Sequence, residues 1–534
     1  MRILARRGIA RSLAAAVAVG LPLALAAPAQ ADPKPAPAQK KLIESVTVGP
    51  VKKHLKALQR IADANGGTRA SGTPGYDASS EYVADRLRKA GYRVTVQPFE
   101  FPYFEEKSTA VMERTSPTPR TYTPTPPDGS AIGEFATMSY SGSGEVTATV
   151  QAVDLTLPPP AEPGSTSGCE PEDFAGFTPG NIALVQRGTC DFSVKASNAK
   201  AAGAVGVIVF NEGQEGRTET FLGSLGTPFD LPVVGTSFAV GEELASLENA
   251  VVHLKVDTVS ETRTTTNVIA DSRWGDPNNT VVLGAHLDSV PAGPGLNDNA
   301  SGSAAILAVA EKLGKIPTRN KLRFAWWGAE ELGLLGAQHY VASLTPEQLA
   351  QIRLYLNFDM VASPNYALMI YDGDDSDATG APAGPPGSDE IEKLFERYFD
   401  ALRQPHIGTD FTGRSDYGPF IEVGIPAGGL FTGAEGIKTP EEAKLFGGTA
   451  GEAYDPCYHQ ACDTIENIND KALALNTGAI ATAAVVYAYD RDLPGGDAAA
   501  RTQARAQART PTSTGGTRVT GDTLVADLHD RDMR

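Results

Sequence analysis

Two adjacent carboxylates, Glu330 and Glu331, stand in the run Phe324-Ala-Trp-Trp-Gly-Ala-Glu-Glu-Leu-Gly333, between an apolar, strand-like stretch and a helical one. Like charges side by side are costly when shielded from water unless a positive charge lies between or beside them. A divalent metal supplies that charge, so that one carboxylate binds it while its neighbour handles a proton. Other candidate ligands are present. His286 and Asp288 close the run Thr280–Val290, Asp298 lies in the polar turn Gly295–Gly302, Asp359 stands near the end of Leu354–Met360, and His459 sits between Cys457 and Cys462. Two histidines and three carboxylates suit two zinc ions better than one. The absence of His-Glu-x-x-His argues against a helix-borne single-zinc protease. The absence of Gly-x-Ser-x-Gly disfavours a serine hydrolase.

These side chains need a scaffold that gathers them. Thr280–Val290 is β-branched and apolar up to His286 and reads as a buried strand, and Leu354–Met360 reads as another. Gly295–Gly302 is a tight polar turn in which Ser301 or Asn299 caps an apolar helix over Ala304–Leu313. In open α/β sheets, sites form at the carboxyl ends of strands. Three successive strand ends then deliver His286, Glu330 with Glu331, and Asp359, with Asp298 close by.

The chain at this point resembles the secreted two-zinc bacterial leucine-type aminopeptidases, of the peptidase family of aminopeptidase Y and glutamate carboxypeptidase. The matching segments are His286-Leu-Asp288, Asn297-Asp298, Trp326-Trp-Gly-Ala-Glu330-Glu331-Leu-Gly, Asn357-Phe-Asp359-Met360, Gly413-Arg414-Ser-Asp416 and Cys457-Tyr458-His459. The turn Arg69-Ala-Ser-Gly-Thr-Pro-Gly75 and the helix Asp77–Ala90, stopped by Gly91, match as well. The likeness covers roughly residues 43–125 and 263–490, in the family's order. It implies an α/β fold: a mixed, largely parallel central sheet flanked by helices, the zinc exopeptidase fold.

The resemblance implies one zinc held by His286 and Asp359, the other by Glu331 and His459, with Asp298 bridging both. It implies Glu330 as general base for a zinc-bridged water, Tyr458 as hydrogen-bond donor to the oxyanion, and Asp288 as acceptor of the ring N–H of His286. Met360 and Phe431 match the lining of an apolar pocket for the first side chain, with plain core packing as the alternative. Arg414 matches a residue near the substrate's free amine, or else pairs with Asp416 or Glu422. The implied substrates are peptides with a free N-terminus that begin with large apolar residues. Several members of the family bind calcium through aspartates in the final helix. The stretch Lys471–Gly478 lacks them, so calcium dependence is not carried over.

A chain of 534 residues exceeds one ordinary domain. Met1–Ala31 reads as an export signal: Arg2, Arg6, Arg7 and Arg11, an apolar run Leu13–Ala27, and Ala29-Gln30-Ala31 as cleavage site. A secreted, extracellular, monomeric protein is expected. Residues 32–125 and 263–490 form the expected catalytic domain, and residues 126–262 an insert. Its segments Asn181–Lys195, a helix Ala196–Ala202 and a buried strand Val205–Asn211 resemble the protease-associated domain, mainly β. Covering the active-site mouth, gating substrate length, mediating contacts or serving stability alone are the roles open to it. Residues 491–534 lack the apolar content for a core and read as a disordered tail.

No further uninterrupted apolar stretch approaches membrane-spanning length on this reading, and a formal charge of −18 argues against nucleic acid and anionic membrane partners. Four cysteines in an exported chain suggest two disulfides. Of three possible pairings, Cys169–Cys190 with Cys457–Cys462 keeps each bridge within one domain. His54, His253, His339, His406 and His529 fit no metal spacing and read as surface or packing residues. Competing readings are a zinc carboxypeptidase or amidohydrolase of the same fold, and a receptor-like binding protein. The second is disfavoured because all five ligand positions and Glu330 are present.

Overall fold

The computed structural model describes residues 36–127, 129–377 and 380–495, so the expected export signal and nearly all of the expected tail lie outside the described residues. At its centre, the strands Ala427–Phe431, Ile352–Phe358, Asp276–His286 and Asn320–Trp327 lie side by side and parallel. Val251–Asp271 pairs antiparallel on one flank and Met369–Tyr371 on the other, giving the mixed, largely parallel sheet expected. Strands buried on both faces read as continuous apolar runs rather than alternations. Val281, Val282 and Leu283 are fully buried accordingly.

Helices cover both faces. On one, Val48–Ala64, Pro74–Ala90, Ala300–Leu313 and Asp470–Tyr489 share a core with Val281, Leu283, Phe324 and Leu356. On the other, Trp327, Tyr340, Tyr355 and Phe420 cluster, with the Tyr355 and Phe420 rings stacked 4.0 Å apart. The helix Ala300–Leu313 starts four residues earlier than expected. Asn299 is its cap, accepting from the Gly302 N–H at 3.0 Å, while Ser301 lies inside the first turn. The helix Asp470–Tyr489 is long and apolar enough to cross a membrane by length and composition, although Asn476, Thr477 and Gly478 interrupt its apolar run. It packs into the core, with 67% of its apolar window buried.

The strands Arg93–Ser116 and Val251–Asp271 pair antiparallel from Arg93↔Asp271 to Ser116↔Val251. This long hairpin leads from the central strands into Gly144–Ala152, Ile182–Gln186, Gly206–Phe210, Val233–Thr236 and Phe135–Thr137, which continue the same sheet from the edge of Val251–Asp271. The helices Phe192–Ala201 and Phe238–Ser246 belong to this insert, the first of them beginning four residues before the sequence expectation. Both expected disulfides form, with Cα–Cα distances of 5.8 Å for Cys169–Cys190 and 5.3 Å for Cys457–Cys462.

Candidate active site

The sheet register aligns the candidate ligands at one edge. Trp327 sits opposite His286, and Asn357 opposite Gly284, so the three strands end together. Just beyond them the chain carries Glu330, Glu331 and Asp359. Asp298 arrives from the turn before the helix Ala300–Leu313, and His459 from the loop closed by Cys457–Cys462.

Asp298 stands between the two histidines. Its Oδ1 lies 3.1 Å from His286 Nε2 and its Oδ2 3.3 Å from His459 Nε2. His286 Nε2 also lies 3.2 Å from Asp359 Oδ1, and His459 Nε2 lies 3.0 Å from Glu331 Oε2. Ligand atoms of His286, Asp298 and Glu331 fall within 4.8 Å of one another, as do those of His286, Glu330 and Asp359. All are buried apart from His459 and Glu331, which are partly exposed.

A metal fits this donor set on physical grounds. Burial raises the pKa of Glu330 well above the carboxylate range, with Asp416, Asp359 and Glu331 adding to the rise and His286 opposing it. Glu331 is pushed up to about 7, first by burial and then by Asp298. Burial alone would lower the pKa of His459, but Glu331 and Asp298 push it up to about 11. His286 is likewise raised, with Glu330 and Asp359 outweighing its burial. The cluster thus draws protons for want of another positive charge, and a divalent cation among these atoms would replace them. Glu331 Oε1 and His286 Nδ1 are buried and have no hydrogen-bond partner.

The surrounding residues position the donors. Trp327 Nε1 donates to Tyr355 Oη at 2.9 Å, and the Tyr355 hydroxyl donates to Asn357 Oδ1 at 3.0 Å. Asn357 Nδ2 then donates to Ser415 Oγ at 2.8 Å, and the Ser415 hydroxyl donates to Asp359 Oδ2 at 2.6 Å. A buried relay therefore fixes the Asp359 carboxylate. Asp463 accepts from the N–H groups of Asn297 and Asp298 at 2.8 and 3.0 Å. Asp455 accepts from Asn297 Nδ2 at 2.6 Å, tying the turn of Asp298 to the segment leading into His459. Ser415, Asp455 and Asp463 are the positioning residues that the sequence reading missed. Ser415 alone carried a signal, lying within the Gly413–Asp416 motif.

The remaining candidate residues lie around this cluster. Asp288 Oδ1 lies 3.6 Å from His286 Nδ1, too far for a hydrogen bond, and accepts instead from the Glu330 N–H at 3.3 Å. The Tyr458 ring stacks on His459 at 3.8 Å between centroids. Burial and the nearby Asp298 hold its hydroxyl protonated far above neutral pH. Arg414 pairs with Glu435 at 2.8 Å, a partner the sequence reading did not name, while the Asp416 carboxylate is fully buried and has no hydrogen-bond partner. Met360 is buried directly after Asp359, and Phe431 ends its strand half-buried against the core. Ala329, Met360 and His459 have left-handed backbones, with φ of 53°, 45° and 57°. Such conformations are rare outside glycine and gather at functional sites.

Comparison with known proteins agrees with this geometry. Residues 267–484 match the model of peptidase family M28, and residues 146–244 match the PA domain. An aminopeptidase of Pseudomonas aeruginosa is 50% identical over 434 residues, which is 81% of this chain and 79% of that protein. Leucine aminopeptidase 2 of Trichophyton rubrum is 51% identical over 325 residues, 60% of this chain and 65% of that one. An aminopeptidase from Aneurinibacillus sp. strain AM-1 superposes with a TM-score of 0.57 at 26% identity, covering 86% of this chain and 97% of its own. A zinc aminopeptidase from Bacillus subtilis gives a TM-score of 0.51 at 26% identity, covering 81% and 94%. The chain therefore belongs to peptidase family M28: it is a zinc-dependent aminopeptidase carrying a PA domain.

Proposed function

We propose that this chain removes amino-terminal residues, preferably large apolar ones, from peptides at a centre of two zinc ions. His286 and Asp359 would hold one ion, Glu331 and His459 the other, and Asp298 would reach both. The observation that carries this reading is the Asp298 carboxylate, with one oxygen facing each histidine. When bound, the zinc ions supply Lewis acidity toward the scissile carbonyl and lower the pKa of an attacking water.

The chain's own residues do the rest. Glu330 takes a proton from the attacking water and passes it to the leaving amine. Glu330 is buried beside His286, at 3.8 Å, and is free to take that proton once bound cations displace the one its acidic neighbours draw to it. Tyr458, protonated and rigidly stacked on His459, donates a hydrogen bond as the carbonyl oxygen gains charge. Asp359 and Glu330 also accept hydrogen bonds from the substrate's ammonium group. Asp288 holds the Glu330 backbone, and the relay through Ser415 keeps Asp359 from rotating away. Met360 and Phe431 line the pocket for the first side chain, and Arg414, braced by Glu435, stands at its rim.

The division into a catalytic part at 32–125 and 263–490 and an insert at 126–262 belongs to the same reading, as does export from the cell. Two disulfides fit an oxidising compartment. Leu- and Phe-starting peptides are to be assayed beside their N-acetylated forms. Acetylation removes the charge that Glu330 and Asp359 receive, so kcat/KM should collapse. Equal cleavage of free and acetylated peptides would overturn the aminopeptidase reading and favour an endopeptidase or amidohydrolase.

A further inference from the structure

Outside the ligand set, one buried cation touches the loops that carry it. Arg69 is fully buried in the turn that precedes the helix Pro74–Ala90. Its Nε donates to Pro294 O at 2.8 Å, its Nη2 to Gly295 O at 2.6 Å, and its Nη1 to Leu287 O. Its backbone N–H donates to Ser289 Oγ at 3.0 Å, and that hydroxyl bonds Gly293 O at 3.0 Å. These acceptors all lie on the segment joining His286 to Asp298. Leu287 directly follows one candidate ligand, and Gly295 lies three residues before the other.

Two residues on, the same turn reaches the other ligand loop. Ser71 is buried, and its Oγ accepts from the Ala329 N–H at 2.7 Å. Ala329 immediately precedes Glu330 and has a left-handed φ of 53°. Thr265 donates to Ser71 Oγ at 3.3 Å and holds that hydroxyl in place. Gly72 completes the turn with a φ of 76°, and a Cβ there would meet the Phe101 ring at 2.7 Å. The clamp is thus wedged between the two loops and the hairpin leading to the insert.

From these contacts we propose that Arg69 and Ser71 are positioning residues of the active site. Arg69 sets the spacing of His286 and Asp298, and Ser71 sets the backbone that aims Glu330. A guanidinium suits the first task because its planar fork addresses several carbonyls at fixed angles, which the point charge of a lysine does not. Burial lowers the Arg69 pKa to about 10, with Asp288, Asp463 and Asp298 opposing the fall, so the group stays charged at neutral pH. The positive charge also lies beside the acidic cluster and not within it, leaving the ligand oxygens free.

The inference rests on the proposed metal centre and divides into two separable effects. Zinc affinity is measured by chelator competition, and the electronic spectrum after cobalt(II) substitution, for wild type, Arg69→Met, Arg69→Lys and Ser71→Ala. Groups that orient metal ligands typically contribute about 10–100-fold to metal affinity. Arg69→Met should lose affinity in that range and change the cobalt spectrum, with Arg69→Lys intermediate. Ser71→Ala should keep its zinc and its spectrum but lose kcat, with KM little changed, because only Glu330 is re-aimed. Apo-protein unfolding shows which variants fold, and if Arg69→Met does not, Arg69→Lys decides. Wild-type zinc affinity and spectrum in Arg69→Lys, or wild-type kcat in Ser71→Ala, would remove that residue from the proposal. Wild-type protein that binds no zinc would overturn the metal centre itself. Intact wild-type binding with unchanged variants would overturn this inference alone.

Discussion

Glu330 and Glu331 are sequence neighbours that the chain turns toward different partners. Glu331 faces His459 at 3.0 Å, whereas the nearer histidine to Glu330 is His286, at 3.8 Å. Glu330→Gln should keep the bound metal and lose turnover by about 10²–10⁴-fold, the usual contribution of general-base catalysis. Glu331→Ala should lose metal from one site. Elemental analysis of both variants, beside single-turnover rates, separates the two roles, and the reverse pattern would show them wrongly assigned. The histidines give a second expectation. In metal-free protein His459 keeps its proton up to about pH 11, driven by Glu331 and Asp298 against its own burial. Metal binding requires the neutral ring, so zinc must displace protons. Zinc affinity should therefore rise with pH, and calorimetry in buffers of different ionisation enthalpy should report net proton release. Zero release at neutral pH would contradict the assignment of His459 as a ligand.

At the scale of the element, strand ends and short loops do the positioning. Residues Cys457 and Cys462 are only 5 apart in sequence, so their bridge closes a small loop and on chain-entropy grounds stabilises by only about 2 kcal/mol. Its main effect should be on His459. The double variant Cys457→Ser/Cys462→Ser should lose zinc affinity by more than its change in Tm accounts for. A fall in Tm with unchanged zinc binding would make the bridge purely structural. The left-handed Ala329 adds another test. Glycine adopts that backbone freely and a β-branched residue does not. Ala329→Gly should retain most activity, whereas Ala329→Val should lose it, and equal activities would show the φ value to be incidental.

Much of this scale was legible in the sequence. Fully buried parallel strands leave continuous apolar runs, and the chemistry sits where each run ends, so His286, Glu330 and Asp359 could be gathered by eye. The relay from Trp327 through Tyr355, Asn357 and Ser415 could not be read. It joins residues from separate segments whose side chains meet only across the folded sheet. Nor could the left-handed Met360 and His459, since neither is the glycine that announces such a backbone. The final helix shows a different limit: a buried core helix and a membrane span share length and composition, and only packing tells them apart.

On the scale of the whole molecule, the long hairpin is the mechanical link between the peptidase sheet and the insert. Phe99, Phe101 and Tyr103 on it cluster with Ala329, and Leu332 and Leu335 pack alongside. Arg263 lies over the Tyr103 ring at 3.4 Å and donates to Gly72 O at 3.3 Å. Phe101→Ala removes a fully buried ring, a change that typically destabilises by about 3–5 kcal/mol. Because its neighbours carry Glu330, kcat should fall as well. Ile208→Ala, in the core of the insert, should lower Tm and leave kcat unchanged. Matching effects on kcat would mean that the insert and the site are coupled throughout and not through the hairpin base.

The account's central claim is the pair of metals that Asp298 joins, and its most direct test is the metal content of the active protein. Elemental analysis of fully active enzyme should give about two zinc ions per chain, as two-metal hydrolytic sites require. Their removal by a chelator should abolish activity, and added zinc should restore it. One zinc ion or none per chain at full activity would contradict the account.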